Sequence, residues 1–217
     1  MKYKCLVLDH DDTAVDSSRE IHYPSFCHSL EIFRPKAQKL TLNEFMQACF
    51  YPGLFDYYTK TLGFSKEELE LEVEMWKKYV ETVVPHFYDG IGETILRFKD
   101  EGGIVAVSSQ SHRDIISRDY RERLGYIPSD IYGYEVGEER CKPSPFAVND
   151  LCKKYGFSPS DVIIVDDMRT GYEMARRAGA HFAAAGWSHF VPEIREFMQK
   201  NSEFYLSSPK ELEKLLF

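Results

Sequence analysis

The chain has 217 residues, 27 of them Lys or Arg against 35 Asp or Glu, for a formal charge of −8. Apolar residues make up 43% and charged residues 29%, enough apolar side chain for one sizeable core, which excludes a disordered chain. The acidic balance excludes a duplex nucleic-acid binder, which needs clustered cations against the phosphates, and leaves room for a local cationic pocket that takes a small anion.

Met1-Lys2-Tyr3-Lys4 leads into only four apolar residues before Asp9, too short a run for a signal peptide. No stretch of 18 apolar residues follows, so no membrane span is expected. Cys5, Cys27, Cys49, Cys141 and Cys152 form no Cys-x-x-Cys and no zinc spacing. They read as free thiols in a reducing, cytoplasmic compartment.

Cys5-Leu6-Val7-Leu8 is a short continuous apolar run, the pattern of a strand buried on both faces of a parallel sheet. It stops at Asp9-His10-Asp11-Asp12-Thr13. Residues 17–85 show no such run. Thr41-Leu42-Asn43-Glu44 and Ser65-Lys66-Glu67-Glu68 are capping boxes, each opening a helix. Leu69, Val73, Trp76, Tyr79, Val80 and Val83 recur at helical spacing through the second. From about residue 87 strands and helices alternate. Ile91 to Lys99 is an amphipathic helix, Ile104 to Val107 a strand ending at Ser108-Ser109. Pro145 to Tyr155 is a helix with Ser144 as its N-cap. Val162 to Val165 is a strand ending at Asp166-Asp167, followed by a helix over Gly171 to Arg177. Phe182 to Ala185 and Phe204 to Leu206 are further strands, and Ser208-Pro209-Lys210-Glu211 is a capping box for the last helix. The expected fold is α/β: a doubly wound, Rossmann-like parallel sheet over 1–16 and 86–217, interrupted by an all-helical insertion over 17–85.

Ligands of open parallel sheets bind outside the carboxyl ends of the strands. Three strands here end there in polar or acidic residues. Asp9, Asp11, Asp12, Asp166 and Asp167 would crowd one rim, where like charges repel and a hard cation with oxygen ligands relieves them. Lys142, in a loop, can reach the same rim. A cation, a lysine and a serine hydroxyl around one point make a phosphate site, and an aspartate there can act as nucleophile.

These residues resemble the haloacid dehalogenase-like superfamily of phosphohydrolases over nearly the full length. The family's first motif fits Asp9-His10-Asp11-Asp12-Thr13, its second Ser108, its third Lys142-Pro143 and its fourth Asp166-Asp167. The resemblance implies that Asp9 attacks phosphorus and becomes phosphorylated, and that Asp11 protonates the leaving oxygen and then activates water. It implies that Ser108 and Lys142 hold the phosphoryl oxygens, with Ser109 and Gln110 lending amides. Mg²⁺ would be held by Asp9, the Asp11 main-chain carbonyl and Asp167, with Asp166 as a further ligand. The insertion stands where the family places a cap, with Asp16-Ser17 at the hinge. Arg19 and His22, and beyond them His28 and Arg34, are candidate substrate contacts.

Two positions depart from the family pattern. Asp12 stands where glycine is usual, and would either raise the pKa of Asp11 or point to solvent. Gly171 stands where a second aspartate is usual, an arrangement similar to the β-phosphoglucomutase branch, in which the acidic pair supplies both metal ligands. The reading is a Mg²⁺-dependent phosphatase of small soluble phosphate monoesters, phosphoglycolate or a sugar phosphate by resemblance, acting as a monomer or small homo-oligomer without a membrane. A phosphomutase and a degenerate, non-catalytic binding protein are the alternatives. A phosphonatase, which needs a cap lysine, has candidates in Lys36, Lys39, Lys60 and Lys66.

Overall fold

A computed structural model describes residues 1–217. Strand β1 (Cys5–Leu8) is fully buried and pairs in parallel with β2 (Ile104–Ser108) on one side and β4 (Val162–Asp166) on the other. Strands β3 (Asp130–Tyr132), β5 (His181–Ala185) and β6 (Phe204–Leu206) complete a six-stranded parallel sheet in the order β3-β2-β1-β4-β5-β6. No helix is long and apolar enough to cross a membrane.

Strand alternation sorts the apolar side chains into two layers. Cys5, Val7, Ala106, Val162 and Ile164 belong to one buried cluster, and Leu6, Leu8, Val107, Ile163 and Val165 to the other. Ten helices cover them. Between β1 and β2 lie α1 (Tyr23–Phe33), α2 (Leu42–Phe50), the single turn α3 (Leu54–Asp56), α4 (Lys66–Thr82) and α5 (Ile91–Asp100). Then come α6 (Arg113–Leu124), α7 (Phe146–Tyr155), α8 (Arg169–Ala178), α9 (Pro192–Asn201) and α10 (Pro209–Leu216). Helices α5, α6 and α10 bury Ile95, Ile116 and Leu212 on one face of the sheet, and α7, α8 and α9 bury Leu151, Met174 and Ile194 on the other.

Everything between residues 18 and 82 that is regular is helical. Phe26, Leu30, Phe45, Tyr58 and Phe64 form its interior, contiguous with the sheet face under α7 to α9. Both expected capping boxes, Thr41 with Glu44 and Ser65 with Glu68, are present. The two crossings between this helical part and the sheet lie side by side: the Asp16 amide donates to the His86 carbonyl, and Glu20 accepts from the His86 amide.

Some local expectations are corrected. The α4 stripe is shifted: Val73 is exposed and Glu72 is buried, so a carboxylate occupies the inward face beside Leu69 and Trp76. The N-cap of α7 is Pro145, not Ser144. At α10 the Ser208 side chain makes no cap, and the Glu211 carboxylate instead accepts from the Ser207 amide.

Candidate active site

Asp9 follows β1 directly, its amide donating to the Val165 carbonyl of β4 at 2.9 Å. Asp166 ends β4 and Asp167 follows it, so parallel pairing sets all three carboxylates at one sheet edge, with ligand oxygens within 4.8 Å of one another. Lys142, from the loop before α7, reaches in between. Its Nζ lies 2.8 Å from Asp9 Oδ1 and 2.6 Å from Asp166 Oδ2. Burial works against the Lys142 charge, but Asp166 and Asp9 outweigh it and raise its pKa. Burial pushes Asp9 up to about 7, although Lys142 pulls the other way, and it raises Asp167 well above the usual carboxylate range with Asp166 adding repulsion.

The carboxylates differ in how fully they are used. Asp166 accepts from Lys142 through Oδ2 and from the Met168 amide through Oδ1. Asp167 accepts from Thr13 through Oδ1, and its buried Oδ2 has no hydrogen-bond partner. The Asp11 carbonyl accepts no backbone hydrogen bond. An all-oxygen set with an orphaned buried carboxylate oxygen suits a hard divalent ion, so these residues fit a metal site.

Asp11 is wired differently. Its Oδ2 accepts from Ser111 at 2.6 Å and Ser109 at 3.2 Å, and its Oδ1 meets His22 Nε2 at 3.1 Å. The Trp76 indole donates to His22 Nδ1 at 3.0 Å. An indole N–H only donates, so Nδ1 accepts and Nε2 carries the proton that points at Asp11. Burial disfavours the Asp11 charge, yet hydrogen bonds from His22 and Ser111 overcome it and hold the carboxyl below its ordinary value.

Asp12 neither points to solvent nor raises its neighbour. It adopts φ 56°, a left-handed conformation that asparagine and aspartate enter more readily than other side chains. Its buried carboxylate accepts from the Ser18 amide at 2.9 Å and from the Ser18 hydroxyl. Burial lifts it to about 6.

Gly171 has a steric reason. A Cβ there would stand 2.2 Å from the Asp166 carboxyl carbon. The side chain of Asp166 fills the volume that a residue at 171 would need. We expect Gly171→Ala to cost about 1–3 kcal/mol, the usual range for overpacking, and to weaken divalent-ion binding, both read by thermal unfolding with and without the ion. An unchanged unfolding temperature would mean that the loop relaxes freely.

A cavity of about 350 Å³ lies between the helical part and the sheet edge, lined by Asp9, Asp11, His22 and Trp76 among others. A smaller one of about 210 Å³ shares Asp9 and Asp11 and holds Lys142, Ser109, Gln110 and Arg169. Several expected contacts do not line either. Ser108 continues the alternation of Ala106, so its hydroxyl turns to Met174 Sδ at 3.7 Å, away from the rim; Ser109, one residue past the strand, faces Asp11. Arg19 pairs with Asp16 at 3.0 Å and stays exposed. His28 meets Tyr79, and Arg34 binds both oxygens of Glu68 at 2.8 Å, tying α1 to α4. Lys36, Lys39, Lys60 and Lys66 are exposed and line neither cavity, which removes the basis of a phosphonatase. His10 is held by Asp119 at 3.1 Å, beneath α6. Ser111, Glu72 and Trp76 were not legible as site residues, nor was His189, buried 3.7 Å from Asp167 Oδ2; Glu72 and Trp76 come from α4, Ser111 from the loop after β2 and His189 from the loop after β5.

The haloacid dehalogenase-like hydrolase family model matches residues 3–179. The chain belongs to this family. A phosphoglycolate phosphatase of Aliivibrio fischeri is 26% identical over 110 residues, a segment that spans 49% of this chain and 48% of that protein. Among solved structures, a predicted phosphoglycolate phosphatase of Haemophilus somnus aligns with TM-score 0.79 at 18% identity, covering 100% of this chain and 99% of its own. A haloacid dehalogenase-family hydrolase of Deinococcus radiodurans, solved with bound phosphate and sodium, aligns with TM-score 0.75 at 20% identity, covering 97% and 93%.

Proposed function

We propose that this chain is a Mg²⁺-dependent phosphatase that hydrolyses a small soluble phosphate monoester through an aspartyl-phosphate. The observation that carries this is Lys142 bridging Asp9 and Asp166 in a buried site that also holds the orphaned oxygen of Asp167. In this reading residues 1–16 and 86–217 are the catalytic core, and 17–85 form a cap over the leaving group. Five free cysteines suit a cytoplasmic setting.

Asp9 is the nucleophile, kept in place by Lys142. Its oxygen attacks phosphorus while the bond to the leaving oxygen breaks, and Lys142 with the Ser109 and Gln110 amides holds the phosphoryl oxygens. Asp11 serves both proton transfers: its protonated form gives a proton to the leaving alcoholate, and the carboxylate then takes one from the water that attacks phosphorus as the bond between Asp9 and phosphorus breaks, which restores both aspartates. His22 Nε2–H is the donor nearest to it and helps set its protonation. The ion, held by Asp9, the Asp11 carbonyl and Asp167 with Asp166 as a further ligand, would offset negative charge between carboxylate and phosphate; Asp9 and Asp166 also hold Lys142. The cap excludes water while the ester bond breaks. That the Deinococcus relative was solved with bound phosphate supports a phosphoryl ligand.

The test is phosphate release from a panel of monoesters, with Mg²⁺ and with chelator. Release that requires the ion supports the reading. No release from any ester by a folded, ion-binding protein would sink it, and bisphosphate-primed isomerisation would then test a phosphomutase.

A further inference from the structure

The larger cavity separates into two chemical halves. Toward the sheet edge stand Asp9, Asp11 and Asp167, the groups assigned to phosphoryl chemistry. Toward the helical part the wall is Phe45, Met46, Leu54, Tyr58 and Trp76, with the carboxylate of Glu72 set among them. No Lys or Arg lines this cavity. Its one basic side chain, His22, already spends both ring nitrogens on Asp11 and Trp76.

Glu72 is unusual for a buried carboxylate. It is 9% exposed, accepts from Tyr58 Oη at 2.8 Å and has no ion-pair partner. A buried carboxylate is ordinarily paired or neutral. Glu72 stands on the inward stripe of α4, where the helical pattern calls for an apolar residue. Asp12, which lines the same cavity from the loop after β1, adds a second carboxylate that is hydrogen-bonded but not ion-paired.

A leaving group with its own carboxylate, as in phosphoglycolate, would meet Glu72 and Asp12 with no cation to receive it. An ammonium group would find the opposite: the aromatic side chains of Trp76, Tyr58 and Phe45 and a desolvated carboxylate, a setting that favours cation–π attraction.

We propose that the leaving alcohol of the substrate carries an ammonium group, primary or quaternary, recognised by Glu72 and the aromatic wall of the cap cavity. This rests on the phosphatase reading for the phosphoryl half and goes beyond it in naming the substrate class.

The experiment compares three esters: phosphocholine, its neutral isostere 3,3-dimethylbutyl phosphate, and phosphoglycolate. Phosphoethanolamine extends the series to a primary ammonium. The expected kcat/KM for the better ammonium ester exceeds that for the neutral isostere by about tenfold or more, as one desolvated cation–π and charge contact supplies, and phosphoglycolate is the poorest. Glu72→Gln keeps the volume and the Tyr58 bond, and the ratio of ammonium ester to isostere is expected to fall about threefold or more, the aromatic wall keeping the remainder; an unchanged ratio would remove Glu72 from the recognition. A wild-type ratio near one, or a preference for phosphoglycolate, overturns the proposal without any variant. If no ester is hydrolysed, the phosphatase reading has failed and choline binding decides instead, followed by calorimetry. Binding by the wild type that weakens about tenfold in Glu72→Gln sustains the cavity's assignment; no binding, or equal binding, ends it.

Discussion

Asp9→Asn is expected to abolish phosphate release, by about three orders of magnitude or more, the scale on which removal of a nucleophile acts. The same substitution is expected to leave the ion-free protein more stable at pH 8, not less. Burial holds the Asp9 carboxyl up to about 7 in the folded chain, against about 3.9 for an exposed aspartate. Above pH 7 the folded state therefore keeps a charge that it disfavours, and asparagine removes it. Lys142 retains Asp166 at 2.6 Å, so the lysine is not stranded. Thermal unfolding reads this directly, at about 2–4 °C per kcal/mol for a chain of this size. Residual ester hydrolysis at the wild-type rate would exclude Asp9 as nucleophile. A large drop in unfolding temperature would show that the Asp9–Lys142 pair stabilises the fold more than burial of Asp9 opposes it.

Removing the divalent ion is expected to matter more as pH rises. Asp9 is raised to about 7, Asp12 to about 6, and Asp167 well above the ordinary range, each chiefly by burial. Between about pH 4 and these values the unfolded chain has released protons that the folded chain still binds. The unfolded state then binds fewer protons, so stability falls with pH and levels off once the folded groups have ionised. Asp11 is shifted the other way, and its contribution is fully present above its unfolded pKa, so it does not slope in this window. Mg²⁺ needs the ionised carboxylates. With the ion at about 100 times its dissociation constant, stabilisation of about 2.7 kcal/mol is expected, largest above pH 7 and fading toward pH 5. Unfolding curves with Mg²⁺ and with chelator across that range check both slopes. A pH-independent effect of the ion would place it away from these carboxylates.

The sequence was most informative where function and local structure coincide. β1, β2 and β4 are uninterrupted apolar runs, and Asp9, Asp166 and Asp167 stand at or immediately after their ends, so chain position alone brings them to one edge. β3 escaped because Asp130-Ile131-Tyr132 is three residues of mixed polarity at the sheet margin. α6 escaped because among its many charges only Ile116, Asp119 and Tyr120 are buried. Ser108 and Ser109 were separable only by strand alternation, which sends the first to Met174 and leaves the second at the rim. Glu72 and Trp76 lie more than sixty residues from Asp9 in the chain, and nothing in an acidic helix marks which glutamate turns inward. Packing of α4 against α1 settles that, and only in three dimensions.

Gly171 and Asp166 bear on how such a site can change over generations. A carboxylate at 166 occupies the volume that a side chain at 171 requires, so the two positions form one slot that holds a single acidic group. A lineage that shifts the charge from one position to the other passes through either an empty slot, with Lys142 losing a partner, or a doubly filled one under steric strain. Both intermediates are handicapped, so the choice between the two arrangements is hard to reverse once made, and it constrains which neighbouring substitutions the loop can later accept.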